Sequence, residues 1–286
     1  MIVPFRVLPA RCALSYSPIS NMRYSLLGLL SALITLHLSL VFRSDNTDLI
    51  GSSLLYWSAA ILILRQKHSQ LNFSSNLTST IVGSLILISV LSKSASIAGN
   101  DIFLRVFPIF SIASLTLIAS GIQGLKQHWQ KLLILFIFAI PPGLILLFFD
   151  PSAITAKVSA LILWSLGFQV SVQGVLVSLP KGSIEVYSAC AGVATMLQLF
   201  GVALMYLFLQ PTKLYQKFLI PGIALLIAFL INAFRVALMA VLVALGDQSA
   251  FEYWHVGNGS LVFSTIAVVV FCLSSQVLLP HEERSL

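Results

Sequence analysis

Residues 218–245 read FLIPGIALLIAFLINAFRVALMAVLVAL. The run is longer than the roughly 20 apolar residues needed to cross a bilayer as a helix. It lacks the strict alternation of a barrel strand, so it reads as a membrane-spanning α-helix. Within it stands one charge, Arg235. A guanidinium at membrane depth costs about 2.5–3.5 kcal/mol on insertion scales and marks a functional site by default. Asn232 lies one turn earlier on the same helix face, where it can orient that guanidinium.

The rest of the chain agrees with a membrane protein. Of 286 residues, 58% are hydrophobic and only 9% charged, and the mean hydropathy is +0.99. No soluble core absorbs so much apolar surface. Further apolar runs at about 22–42, 47–64, 77–92, 102–124, 131–149, 190–210 and 260–279 bring the expected spans to eight. The fold class is an all-α, polytopic transmembrane helical bundle in one integral membrane domain. Residues 1–150 supply five helices, and residues 151–286 supply a cap and three more. Arg6, Arg11 and Arg23 precede the first run, and no small-residue cleavage site follows it, so an uncleaved first helix is expected.

The net charge of +7 would suggest nucleic acid in a soluble domain. Here the basic residues fall between apolar runs, where they act as orientation signals, and nucleic-acid binding is discarded. Cys12, Cys190 and Cys272 form no CxxC pair and no metal-ligand spacing with the five histidines, so no redox motif, metal or cofactor is expected.

The segment 151–180, PSAITAKVSALILWSLGFQVSVQGVLVSLP, either adds a ninth span or lies on the surface. Charge bias arbitrates. If it does not span and the N-terminus is cytoplasmic, the inner side holds Arg6, Arg11, Arg23, Arg65, Lys67, Lys126, Lys131, Lys213, Lys217 and Arg284. The outer side then holds only Arg43, Lys93, Arg105, Lys157 and Lys181. If it spans, the split is seven inside against eight outside. The first arrangement obeys the positive-inside rule. It makes 151–189 an extracytoplasmic cap, an amphipathic interfacial helix followed by a small hairpin-like element with a turn signal at Pro180-Lys181-Gly182.

That topology gathers three reactive groups on the outer side. Cys190, in YSACAGV, begins an inward span at a helix N-terminus, where the macrodipole and free amides favour a thiolate. Arg235 lies roughly 15 Å of helix rise below the outer end of its span, within reach by snorkelling. His255 sits in the outer loop GDQSAFEYWHVGNGS. Taken singly, each has a plainer reading. The cysteine would be an apolar filler, the arginine a partner for a helix-end carbonyl or lipid phosphate, and the histidine part of an aromatic belt with Tyr253 and Trp254. Taken together they are a cysteine nucleophile, a base and an anion stabiliser. Glu185 and Tyr187 read as cap residues, His37 as a packed or polar-facing histidine in the first span, and Phe251 as a packing group.

The order CAGV, then NxxR (Asn232 to Arg235), then HxxxG (His255 to Gly259) resembles the exosortase/archaeosortase family of membrane transpeptidases. The resemblance is strongest over 180–275. Most family members show a serine after the cysteine and an arginine soon after; here Ala191, Ala194 and Thr195 stand there, which looks like the cyanobacterial branch, the cyanoexosortases. The resemblance implies catalytic Cys190, Arg235 and His255, supported by Asn232 and Gly259. It further implies partners that are membrane-tethered proteins with a C-terminal sorting tail of motif, transmembrane helix and basic cluster. These would be cut through a thioester and passed to a surface acceptor by a multi-pass enzyme of the bacterial plasma membrane. The non-enzyme alternative is a transporter, for which Pro221-Gly222 would break a helix. A membrane O-acyltransferase would use histidine with asparagine and leave Cys190 without a part.

Overall fold

The computed structural model describes residues 18–66, 75–97, 99, 101–255 and 259–278. Cys12, Arg6, Arg11, Lys67, Arg284 and the side chain of Arg23 lie outside the described residues.

Among the described residues, seven helices are long and apolar enough to cross a membrane. They are α1 (Pro18–Phe42), α2 (Thr47–Gln66), α3 (Leu77–Ala95), α4 (Phe103–Gln127), α8 (Val193–Leu209), α9 (Gln216–Leu245) and α11 (Gly259–Leu278). The protein is a multi-pass helical membrane protein. Their ends sort by side. His37, late in α1, hydrogen-bonds the carbonyl of Leu104 at the start of α4 (2.7 Å). Lys93, in the last turn of α3, pairs with Asp101 just before α4 (3.5 Å). The C-termini of α1 and α3 and the N-termini of α2 and α4 therefore share one end of the bundle.

The expected span 131–149 is not one helix. It forms α5 (Trp129–Ala139) and the short α6 (Pro142–Leu146), with Ile140 and Pro141 extended between them. Proline supplies no amide hydrogen and pushes the residue before it out of helical geometry, so Pro141-Pro142 ends α5 at Ala139. Eleven residues rise only about 16 Å, short of a roughly 30 Å hydrocarbon core. Ile137, Phe138 and Ile140 nonetheless line the same cavity as Asp48 of α2 and Arg105 of α4. Among the described residues, seven of the eight expected spans are therefore single long helices. By contrast α9 runs unbroken through Pro221-Gly222 for 30 residues, and the interruption a transporter reading asked of it is not there.

Segment 151–187 holds no helix long and apolar enough to cross a membrane. Helix α7 (Ser152–Ser165) buries Ser152, Thr155, Ala156, Ser159, Ala160 and Leu163. These small side chains let it lie close on α9, where Ser159 Oγ donates to the carbonyls of Thr155 (2.8 Å) and Ala233 (2.9 Å). A three-stranded antiparallel sheet follows, β1 (Ser171–Gln173), β2 (Leu176–Leu179) and β3 (Gly182–Glu185), in the order β1-β2-β3. Ser171 pairs with Ser178, and Leu176 with Glu185. The cap thus exceeds the hairpin expected by one strand. Its helix is packed onto the bundle by one face, with Val177, Leu179 and Val186 closing over Val236, Met239 and Ala240.

His37 is fully buried and doubly bonded. Trp57 Nε1 can only donate, and it donates to His37 Nδ1 (3.0 Å), so Nε2 carries the proton given to Leu104. Phe107 stacks on the ring at 5.0 Å. The histidine fastens α1, α2 and the first turn of α4.

Candidate active site

The cysteine is presented by a short turn. Ser188–Cys190 form a 3-10 turn in which the Cys190 amide donates to the Tyr187 carbonyl (2.8 Å). Helix α8 begins at Val193 behind Gly192, whose φ of 92° is left-handed. Cys190 therefore stands three residues ahead of the helix, one step further out than the sequence suggests. Gly192 is required twice over. Its φ disfavours any residue with a Cβ, and a Cβ there would lie 2.8–2.9 Å from the side chain of Asn232.

Three side chains tether the carbonyls and hydroxyl of this turn. Asn232 Nδ2 donates to the Cys190 carbonyl (2.9 Å). Thr155 Oγ1 of α7 donates to the Ala191 carbonyl (3.1 Å). Ser188 Oγ donates to Asp150 Oδ2 (2.7 Å). Asp150 also accepts from the hydroxyl and amide of Ser152. The Ser152 hydroxyl, then that of Ser188, then the Ser152 amide hold its carboxyl below the usual range. The expected task of Asn232, orienting the guanidinium, is thus not the one it performs: its amide is spent on the cysteine's own carbonyl.

The imidazole comes from the other side. α10 (Gln248–His255) ends on His255, and Nε2 lies 3.3 Å from Cys190 Sγ. Phe251, one turn back, stacks on the ring at 5.0 Å and 26°. Burial first, and then the charge of Arg235, hold the His255 pKa below its ordinary value, so the neutral imidazole is the resting form at neutral pH. Gly259 opens α11. A Cβ at this residue would meet the Trp254 ring at 2.7 Å and the Tyr253 carbonyl at 2.8 Å, which explains the HxxxG spacing as a tight corner between α10 and α11.

Arg235 completes the corner. Nη2 donates to the His255 carbonyl (2.6 Å) and Nε to the Trp254 carbonyl (3.3 Å). A cation on the last carbonyls of α10 is favourable both as a cap and against the helix dipole. A guanidinium has five N–H groups, so two of them lock the histidine backbone and three remain for a ligand. Cys190, Arg235, His255, Asn232 and Gly259 therefore meet at one end of the bundle. Cys272 does not join them; it lies exposed on α11. Glu185 is exposed at the end of β3, and Tyr187 precedes the cysteine turn without a side-chain cap bond.

A polar cavity opens beside this corner, lined by Ala189, Gly192, Asn232 and Arg235 and, across it, by Asp48, Tyr56 and Arg105. No site residue is expected from the sequence in the N-terminal five helices, yet three of their residues line this cavity. The signal was available, since Arg105 stands three residues inside the apolar helix begun by Phe103, the same anomaly that marks Arg235. Asp48 accepts from Ser260 Oγ at the head of α11 (2.8 Å), and Tyr56 donates to the Leu197 carbonyl (3.1 Å).

Comparison with known proteins gives three findings. A family model described as transmembrane exosortase matches residues 44–272. Probable archaeosortase E of Methanocaldococcus jannaschii is 26% identical over 92 residues, which cover 32% of this chain and 47% of that protein. The match thus spans about half the length of the curated relative. No solved structure matches the chain.

Proposed function

The chain belongs to the transmembrane exosortase family, and from that premise we propose that it is a membrane cysteine transpeptidase that removes the C-terminal sorting tail of exported proteins. The observation that carries the reading is the 3.3 Å approach of Cys190 Sγ to His255 Nε2, with Arg235 bonded to the histidine's own carbonyl. His255, neutral at rest, takes the Sγ proton through Nε2 while the sulfur attacks the scissile carbonyl. The remaining N–H groups of Arg235 stabilise the oxyanion, and the guanidinium stays charged in the low-dielectric corner. As the tetrahedral adduct collapses, the C–N bond breaks and the leaving amine collects the proton from His255. An amine of the acceptor, or water, then releases the acyl group from the thioester, with His255 again taking the proton.

The substrate is a membrane-tethered protein whose tail combines a motif, a transmembrane helix and a basic cluster, and its helix packs against the bundle within the bilayer. The basic residues fit a plasma-membrane orientation with both termini cytoplasmic and the site on the outer face. Arg65, Lys126, Lys131, Lys213 and Lys217 all fall at the end opposite Cys190. Ala191, Ala194 and Thr195 fit the cyanobacterial branch.

The test is Cys190→Ala and Cys190→Ser in cells. Both variants are expected to insert normally while uncleaved substrate accumulates in membranes, read by mass spectrometry of the tails. Normal tail removal by Cys190→Ala would show that the nucleophile lies elsewhere.

A further inference from the structure

The chemistry above leaves one charged side chain of the cavity unused. Arg105 is half-buried in the first turn of α4 and faces the chamber opposite Arg235. Arg235 is anchored on two carbonyls. Arg105, among the described residues, makes no hydrogen bond and no ion pair. Asp48 lines the same chamber and its charge acts on Arg105, but the carboxylate is beyond ion-pair contact and accepts the Ser260 hydroxyl. Two guanidiniums against one carboxylate leave one positive charge uncompensated in a chamber enclosed by membrane helices. A charge so placed is costly unless a ligand pairs with it. A guanidinium's planar fork matches a carboxylate bidentately, and Thr195 and Gln198 of α8 add further polar lining.

We propose that Arg105 makes this chamber a carboxylate site, seating an acidic group carried by the peptide substrate or by the acceptor that resolves the thioester. The proposal rests on the Cys190 chemistry given above, but the site itself can be tested apart from it. In full-length protein carrying Cys12→Ser and Cys272→Ser, Cys190 is the sole thiol. It is treated with 2-carboxyethyl methanethiosulfonate or with the uncharged amide counterpart. The Cys190 sulfur attacks the reagent's divalent sulfur, a disulfide forms as the bond to the sulfonyl group breaks, methanesulfinate leaves, and the Cys190 thiol proton passes to solvent. Intact-mass spectrometry follows the rate.

The carboxylate reagent is expected to react about 10-fold or more faster than the amide, as in charge-focusing clefts. Arg105→Gln should bring the ratio near one, and Arg105→Lys should retain most of it. A ratio near one in the parent protein, or one unchanged by Arg105→Gln, overturns the proposal and leaves the nucleophile assignment standing. If neither reagent modifies Cys190, the open site fails and both readings fall together. Two arms then separate the sources. With synthetic tail peptides that carry one acidic side chain and counterparts in which it is the corresponding amide, Arg105-dependent loss of thioester formation puts the acid on the peptide. With glycine against glycinamide as the resolving amine, an Arg105-dependent preference for glycine puts it on the acceptor. Independence from Arg105 in both arms overturns the assigned role.

Discussion

Gly192→Ala tests the geometry of the cysteine turn most directly. The residue is held at φ 92°, where an L-residue is disfavoured by roughly 1–2 kcal/mol. The new methyl would also lie 2.8 Å from Asn232 Cγ and Nδ2. Asn232 is 2% exposed and has no room to retreat without giving up its 2.9 Å bond to the Cys190 carbonyl. Leaving a buried amide and carbonyl unpaired adds about 1–3 kcal/mol. The two contributions come to about 2–5 kcal/mol, partly relieved if the turn shifts. A shift moves Sγ relative to His255 Nε2, and a displacement near 1 Å is enough to lower turnover about 100-fold. The assay is paired: thermal unfolding of the purified protein in detergent, and the rate of tail removal from a substrate. Gly222→Ala is the control, being the same change in the interior of α9 with nothing within 4 Å of the added atom; it should be neutral or slightly stabilising. If Gly192→Ala leaves both melting and cleavage unchanged, the account of the turn as a constrained mount for the sulfur is wrong.

Other outcomes are expected. Arg235→Lys should insert normally but lose about 100-fold or more in tail cleavage, because one ammonium cannot bond the Trp254 and His255 carbonyls and still offer a fork to the substrate; near-normal rates would reduce Arg235 to a structural anchor. Protonation of His255 removes the base, and its folded pKa is lowered. The acid limb of kcat/KM should therefore fall below the ordinary histidine value of about 6.5 and move upward in Phe251→Ala, which uncovers the ring. A limb at or above the ordinary value would contradict the burial seen. Thiol labelling from outside cells should reach a cysteine placed at Lys181 and miss one placed at Lys126, and the reverse pattern would invert the membrane orientation.

Much of this molecule was legible because hydropathy reports burial in lipid directly. The seven long helices appear as apolar runs, and Arg235 stands out because a charge at depth needs a reason. The errors have physical causes as well. Averaged over 131–149, hydropathy hides Pro141-Pro142, which matter through a missing amide and not through polarity. Arg105 carries the anomaly of Arg235 but sits in the first turn of its helix, where a charge passes for an orientation signal. Strand β1 has only three residues, too few to show alternation, so the cap's third strand was invisible. The partner of Asn232 could not be read from its own helix, since an i−3 neighbour is a local relation and the Cys190 carbonyl is brought in by α8. Gly192 was in view within CAGV, yet only its φ and the crowding by Asn232 explain it.

The fastening of α4 by His37 and Trp57 reaches further than the first helices. The carbonyl it grips belongs to Leu104, the residue immediately before Arg105, so the cavity wall that carries Arg105 is aimed from the amino-terminal half. A fragment comprising only 151–286 would retain every residue of the CAGV, NxxR and HxxxG signatures and lack the chamber they open onto. Dissecting the protein into anchor and enzyme is therefore not an option that its architecture offers.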